Sequence, residues 1–324
     1  MPDILVSESI LGPDLEALRE RYTVSVEPEL WRDRAMLAGR LTGSRALIVR
    51  NQTRVTEELI GAADRLEVIG RAGAGLDNVD VAAASKAGIA VCYAPDQNAL
   101  SVAELAMAML LALARRLVSA DCDTRAGRWS REAFIGVELH RKTLGVIGFG
   151  RVGFLLGMRA RAFGMRVLAY DPFISPDAVT VTESGAALVG LDELLARADA
   201  VSCHLPSTPA TDNLFNADRF RMMKPTALFL NLGRGDVVDE AALIQALQSR
   251  RLGGAGLDVR AVEPAALSPL NEMENVILTP HIGGLTADAQ TRVVAAVCRD
   301  VAAVLDGRPP LYCANAPRPR SVRV

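Results

Sequence analysis

Residues 144–171 read LGVIGFGRVGFLLGMRARAFGMRVLAYD, and the fold follows from this stretch. Leu144–Ile147 is a short apolar strand signal. It runs directly into Gly148-Phe149-Gly150-Arg151-Val152-Gly153, a GxGxxG pattern that opens a helical stretch. A second strand signal, Val167–Ala169, leads to Asp171, 18 residues beyond Gly153 (171 − 153 = 18). Each part has a physical reason. Gly148 permits a tight turn, Gly150 lets backbone approach a pyrophosphate, and Gly153 lets the helix pack on the strand. The helix start, at Arg151 and Val152, offers free N–H groups and a positive dipole end to phosphates. Asp171 can accept hydrogen bonds from adenosine ribose hydroxyls and would repel a 2′-phosphate, which favours NAD over NADP. The rival reading is a Gly-rich turn with a loop aspartate.

The same alternation extends both ways along the chain. After Lys142, strand signals recur at Leu144–Ile147, Val167–Ala169, Ala200–Cys203, Ala227–Asn231, Ala255–Leu257 and Val276–Leu278. The first hundred residues carry strand signals at Ile4–Val6, Ala46–Val49, Val68–Ile69 and Ile89–Val91, with a weaker one at Thr23–Val26. Helix-like stretches lie between them at Pro13–Arg21, Trp31–Leu41, Thr56–Ala63 and Val81–Ala87. Strand–helix alternation predicts parallel sheets covered by helices on both faces. The expected fold is α/β: two doubly wound domains with a cleft between them, one flavodoxin-like, the other a Rossmann domain. The first is expected to be discontinuous, residues 1–100 plus 287–324, and the dinucleotide domain to occupy 101–286. Ser101 is expected to begin one long helix reaching Arg125, with Glu104 completing a capping box. Its apolar run, Leu105–Ala114, suggests a dimer contact. A last helical stretch, Ala287–Asp306, precedes a Pro- and Arg-rich tail, Ala316–Val324, expected to be mobile.

Composition narrows the class. The chain has 324 residues, and 36 Lys plus Arg against 38 Asp plus Glu give a net charge of −2, which argues against a nucleic-acid binder. Half the residues are hydrophobic but only 4% are aromatic, so the core is built from aliphatic side chains. That suits a buried parallel sheet. Five cysteines, at 92, 122, 203, 298 and 313, form no CxxC pair, so neither a disulfide framework nor a zinc or other metal site is expected. The N-terminus MPDILVSES lacks a basic region followed by an apolar core, and ten apolar residues at Leu105–Ala114 cannot span a bilayer. The expectation is a cytoplasmic protein that binds no membrane.

Candidate chemistry gathers at predicted strand ends. His281 lies in TPHIGG, just after Val276–Leu278. Arg234 lies in NLGRG after another strand, and Asp258 and Glu263 follow in LDVRAVEP. An Arg, an Asp, a Glu and a His thus stand at or just beyond strands of one sheet, where α/β folds place their sites.

These motifs resemble the D-isomer-specific 2-hydroxyacid dehydrogenases. GxGxxG, HLP at His204–Pro206, KPTALFLNLGRGDVVDEAAL, LDVRAVEP and TPHIGG match that family's signatures in order and spacing. GRAGAGLDNVD at Gly70–Asp80 and NALSVAE at Asn98–Glu104 extend the resemblance over nearly the whole chain. VRN at Val49–Asn51 and GRWSREAFIGVEL at Gly127–Leu139 look most like the phosphoglycerate dehydrogenase branch. Thr226 stands where the family often has glycine, a departure expected to alter a turn and no chemistry.

The resemblance implies an NAD-dependent oxidoreductase moving a hydride to or from C2 of a small 2-hydroxy acid. His281 would be the acid/base, since imidazole as a class titrates near neutral pH. Glu263 would orient it and favour the imidazolium. Arg234 offers a planar fork for a carboxylate or the C2 oxygen. By resemblance Asp258 meets the nicotinamide carboxamide, and His204 and Pro206 line the nicotinamide ribose region, a buried structural histidine being the rival for His204. Gly73-Ala74-Gly75 would present backbone N–H groups to the substrate carboxylate. Arg50 and Arg71, read as ending strands at the sheet edge facing a cleft, match phosphate-holding arginines, and Arg131 matches one that reaches in from a neighbouring subunit. Three arginines exceed the need of one carboxylate, so a second anionic group on the substrate is inferred. The expected substrate is 3-phosphoglycerate or a similar doubly anionic acid. Glyoxylate, hydroxypyruvate and sulfolactate enzymes are alternatives within the family, and an NAD-binding regulatory module is an alternative of another class. A homodimer is expected, without a C-terminal regulatory domain.

Overall fold

The computed structural model describes residues 1–10 and 12–315. The tail from Ala316 lies outside the described residues. The chain divides into two compact units, Met1–Asn98 with the stretch from Thr286, and Ala99–Leu285.

In the first unit, β1 (Ile4–Val6), β2 (Val24–Val26), β3 (Ala46–Val49), β4 (Val68–Arg71) and β5 (Ala90–Tyr93) form a parallel sheet ordered β2-β1-β3-β4-β5. Alternation along each strand sends side chains to opposite faces. Ile4, Val6 and Ile48 join one core with the helix Ala287–Leu305, while Leu5, Leu47 and Val49 join another with Leu37, Leu41 and Leu59. The long helix buries Val293, Val297, Val301 and Leu305, one residue per turn along a single stripe. Thr286 caps it by accepting from Ala289 N.

In the second unit, β6 (Thr143–Ile147), β7 (Arg166–Tyr170), β8 (Ala187–Leu188), β9 (Ala200–Cys203), β10 (Leu228–Asn231), β11 (Gly254–Leu257) and β12 (Val276–Leu278) form a parallel sheet ordered β12-β11-β10-β9-β6-β7-β8. The chain leaves β6 for β7 on one side and returns at β9 on the other. That reversal is a topological switch point, and ligands of such sheets sit outside the carboxyl ends of the strands there.

Three local expectations are corrected. The helix expected from Ser101 to Arg125 begins at Ala99 and stops at Ala114, and a second one covers Leu117–Arg125. Arg116 adopts a left-handed conformation between them. The Ala114 carbonyl accepts from Val137 N (2.8 Å), which takes it from the helical ladder. Ser101 is buried inside the helix and not at its start, while Glu104 pairs with Arg159 (3.3 Å). The stretch Trp31–Leu41 is a 3-10 turn, Leu30–Arg32, followed by the helix Arg34–Leu41, which Asp33 caps by accepting from Met36 N. Finally, β8 escaped the periodicity because it is two residues long. Among the described residues, no helix is long and apolar enough to cross a membrane.

The central strand β6 depends on close packing. A Cβ at Gly145 would lie 2.3 Å from Leu194 Cδ2, so the glycine makes room for this fully buried leucine. Leu194→Ala is expected to destabilise by ~2–5 kcal/mol through lost burial and the cavity left behind. Urea denaturation should show a lower midpoint at unchanged slope; an unchanged midpoint would mean that the sheet tolerates the void.

Candidate active site

The glycine-rich turn follows β6. Gly148 has a φ of 84°, which suits glycine, and its N–H donates to Tyr170 O (2.9 Å). A Cβ at Gly153 would stand 2.5 Å from Gly148 O and 2.9 Å from Val146 Cγ1, so only glycine lets this helix meet the turn and strand. Gly150 is different, because a Cβ there would meet nothing within 4 Å. Open space lies over it at the start of the helix Arg151–Ala162, where no side chain caps the first turn. Uncapped N–H groups beside open space fit a pyrophosphate. Arg151 is exposed and Val152 half-buried. Asp171, beyond β7, accepts from Phe149 N (3.0 Å) through one oxygen and from Phe173 N (2.9 Å) through the other. It therefore braces the turn, and each oxygen keeps lone-pair capacity for a further donor.

The other candidates stand at the carboxyl ends of neighbouring strands. His204 follows β9, and its Nε2 is hydrogen-bonded to Ser202 Oγ (2.9 Å). The residue reaches solvent in part, but Nδ1 is enclosed and meets no hydrogen-bond partner among the described residues. Pro206 is exposed two residues on. Arg234 follows β10. The buried Asn231 closes the backbone there, accepting from Gly233 N (3.1 Å) and donating to Arg234 O (2.8 Å).

Asp258, beyond β11, is 2% exposed. Its Oδ1 accepts from Thr279 Oγ1 (2.6 Å) and Ile282 N (2.8 Å), and its Oδ2 from Gly283 N (2.8 Å). Its backbone carbonyl accepts from His281 N (2.8 Å). One aspartate thus clamps the loop Thr279–Gly283 beyond β12. Within that loop His281 has a φ of 56°, a left-handed backbone uncommon outside glycine and frequent at functional sites.

His281 Nδ1 lies 2.7 Å from Glu263 Oε2. A carboxylate only accepts, so Nδ1 carries the proton and Nε2 is the nitrogen not engaged by Glu263. Glu263 Oε1 accepts from Arg260 N (3.1 Å). The Arg260 guanidinium is itself locked onto Glu240 by two parallel hydrogen bonds of 2.9 and 2.7 Å, and Glu240 also accepts from Ala261 N (3.0 Å). The Arg260 hydrogen bond holds the Glu240 carboxyl below its ordinary value.

With this arrangement established, comparison with known proteins identifies the family. Residues 107–283 match the model of the D-isomer specific 2-hydroxyacid dehydrogenase, NAD binding domain. The chain belongs to the D-isomer specific 2-hydroxyacid dehydrogenase family. It is 42% identical over 317 residues to a D-3-phosphoglycerate dehydrogenase of Synechocystis sp., covering 98% of this chain and 56% of that protein. The chain thus spans little more than half the length of that curated relative. Among solved structures it resembles the TT0316 protein of Thermus thermophilus (37% identity, TM-score 0.90, 96% of this chain and 99% of that one). It also resembles D-lactate dehydrogenase of Aquifex aeolicus in complex with NAD and lactic acid (30% identity, TM-score 0.84, 97% and 99%).

The first unit of this dehydrogenase-family chain carries all the remaining candidates but Arg131. Arg50 and Arg71 stand at the carboxyl ends of β3 and β4, adjacent interior strands, and not at a sheet edge. The half-buried Arg50 guanidinium makes no hydrogen bond or ion pair with a described residue, and burial lowers its pKa. Glu8, 2% exposed, spends its carboxylate on the backbone of this loop, accepting from Arg50 N (2.8 Å), Gln52 N (3.0 Å) and Thr53 N (2.9 Å). Asn78 Nδ2 donates to Arg50 O (3.0 Å) and Thr53 O (2.7 Å), while its Oδ1 accepts from Arg71 Nε (3.4 Å). A Cβ at Gly73 would overlap the Arg71 guanidinium at 1.5 Å, so this glycine leaves space for that side chain. Gly73 N–H turns back to Arg71 O (2.8 Å), whereas Ala74 and Gly75 N–H meet no acceptor among the described residues. Arg131 is exposed and opens the 3-10 turn Arg131–Phe134 of the second unit.

Sequence reasoning named the candidate side chains but missed the residues that hydrogen-bond around them: Glu8, Asn78, Asn231, Glu240 and Arg260. All but Glu8 lie inside motifs already quoted, so a polar residue in such a motif without an assigned task was the available signal.

Burial pushes the His204 imidazole down to about 4, from an ordinary value of about 6.5. As pH falls through that window the unfolded chain takes up a proton that the folded chain refuses. Stability is therefore lost on acidification, by at most ~1.4 kcal/mol per pH unit. His204→Gln is expected to flatten this slope in urea titrations between about pH 6.5 and 4; an unchanged slope would show that the folded protein lets the ring charge.

Proposed function

We propose that this chain interconverts a small D-2-hydroxy acid and its 2-keto acid using NAD, with 3-phosphoglycerate the foremost substrate. The observation that carries the reading is the His281–Glu263 pair, 2.7 Å apart on a loop clamped by Asp258, along the sheet end that also bears Arg234. NAD supplies the hydride acceptor or, reduced, the donor. The uncapped helix start at Arg151, the open space over Gly150 and the carboxylate of Asp171 would hold it. The enclosed His204 and Pro206 would line the nicotinamide ribose region.

The protein's own part is proton transfer and charge. His281 Nε2 takes the proton from the C2 hydroxyl during oxidation and returns it during reduction. Glu263 fixes the tautomer and stabilises the imidazolium that forms. Arg234 binds the C2 oxygen or the neighbouring carboxylate. Asp258 acts chiefly as a positioning residue that keeps His281 in place. Backbone N–H groups of Ala74 and Gly75, with Gly73 giving the clearance, receive the carboxylate. Arg50 and Arg71 receive the second anion, and the half-buried Arg50 guanidinium, without a hydrogen-bond partner among the described residues, is the feature that favours phosphate over a neutral substituent. Arg131 of a neighbouring copy would add to this site in a homodimer, and the setting is cytoplasmic.

The first test is NADH formation with D-3-phosphoglycerate, D-glycerate, D-lactate and both sulfolactates, with glyoxylate and hydroxypyruvate in the reverse assay. A strong preference for doubly anionic acids is expected. Activity on simple acids alone would remove the phosphate role of Arg50 and Arg71, and tight NADH binding without turnover would favour a regulatory module. His281→Ala is expected to lower kcat by ~10²–10⁴-fold while NADH binding persists; near-normal turnover would end its acid/base role.

Asp171→Ala is expected to weaken NAD binding and relax discrimination against NADP. Cofactor titration of kcat/KM reads this, and an unaltered NAD-to-NADP ratio would take Asp171 out of the ribose site.

A further inference from the structure

Cys92 and Cys313 face each other across an isolated antiparallel bridge. Ala314 N donates to Val91 O (2.8 Å) and Tyr93 N lies 3.4 Å from Tyr312 O. These contacts flank the two cysteines, which makes them the non-hydrogen-bonded pair of the ladder. Opposed Cα atoms at such a pair lie ~4.5 Å apart, inside the ~4.4–6.8 Å that a disulfide spans. The Cys313 thiol donates to Asn315 O (2.5 Å) and lies 3.3 Å from Asn315 Oδ1.

The surroundings hold this register from both sides. β5 is an edge strand, and the segment after the last helix lies along it. Asp300, 1% exposed, accepts from Leu311 N (3.1 Å) and Tyr312 N (2.9 Å). On the other side Asn315 Oδ1 accepts from Val91 N (2.9 Å), and its Nδ2 donates to Ile89 O (2.9 Å) and Ser85 Oγ (2.9 Å).

The two sulfurs differ in reach and charge. Cys92 is fully buried, whereas Cys313 is partly exposed. Cys313 is therefore the sulfur that solvent reaches, and its position beside the Cys92 thiol and the backbone around Asn315 and Val91 lowers its pKa to about 6. Cys92 keeps its proton, because its proximity to Cys313 and its burial raise its pKa. Cys203 and Cys298 are buried thiols pushed up to about 12 by desolvation.

We propose that Cys313 and Cys92 form a peroxide-reactive pair, nucleophile and resolving thiol, that closes to a disulfide stapling the chain after the last helix onto the edge strand β5. The Cys313 thiolate attacks one oxygen of hydrogen peroxide. An S–O bond forms, the O–O bond breaks, and hydroxide leaves, giving a sulfenic acid. The Cys92 sulfur then attacks that sulfur. The S–S bond forms, the S–O bond breaks, and the Cys92 proton departs with the hydroxyl as water. Two thiols lose two electrons, and one peroxide becomes two waters. The strand so stapled exits at Ala94, whose N–H donates to Gly73 O (3.0 Å), so the staple adjoins the loop before Ala74 and Gly75.

The test uses the full chain with the exposed Cys122 replaced by Ser, reduced and then titrated with hydrogen peroxide. Two thiols should be lost together, and peptide mass mapping should show Cys92 linked to Cys313, reversibly with dithiothreitol. The thermal midpoint of the oxidised form should rise by roughly 5 °C or more. Cys92→Ala should leave Cys313 as a sulfenic acid that dimedone traps, and Cys313→Ser should leave Cys92 unreactive. Overoxidation of Cys313 without the link in the unsubstituted pair, or equal thiol loss in Cys313→Ser, would overturn the proposal. So would a link that forms only when urea is added. None of these readings depends on turnover.

Discussion

The Asp258 carboxylate is the interaction on which the loop beyond β12 rests. A histidine in left-handed backbone conformation is costly, and sites that keep one must hold it with other bonds. Here they come from one buried residue, through three side-chain hydrogen bonds and its own carbonyl. Burial of a carboxylate is itself unfavourable unless its lone pairs are filled, and the loop fills them. The clamp and the loop are therefore mutually dependent. Loosening either releases the nitrogen that faces Glu263.

The second constraint is topological. Because every strand of the sheet runs parallel, all loops after strands emerge at one end, and the order β12-β11-β10-β9-β6 sets their sequence in space. His281 falls beyond β12, Asp258 and Glu263 beyond β11, Arg234 beyond β10, His204 beyond β9 and the glycine-rich turn beyond β6. A chain that visits these strands in a different order still collects one row of loops. The dispersal of Gly148 and His281 over more than a hundred residues therefore carries no cost in precision.

Much of this was legible in the sequence, for identifiable reasons. Strands with both faces buried read as unbroken aliphatic runs, and the turn at Gly148 needs glycine for reasons local to a few residues. The break at Arg116 was not legible, because it depends on Val137 taking the Ala114 carbonyl from outside the helix. Nor was β8, too short for any period. The task of Glu8 was hidden for the same reason as the break: its three donors lie more than forty residues away, and the motif SES gives no hint of them. Periodicity reports burial well. It is silent on which distant backbone a buried polar group serves.

Arg50 shows how such distant bonds create reactivity. Glu8 is close enough to steady the Arg50 cation electrostatically, yet its oxygens are committed to backbone N–H groups and make no hydrogen bond to the guanidinium. Had the carboxylate turned to that guanidinium, a closed ion pair would have formed and the loop would have lost its brace. As built, the loop is braced by Glu8 and the cation meets no hydrogen-bond partner among the described residues. A half-buried arginine in that condition is destabilising on its own account, since burial without hydrogen bonds disfavours charge. It stands at the carboxyl end of an interior strand, beside an arginine for which Gly73 leaves space, and that pairing is the observation behind the anion role proposed for the two.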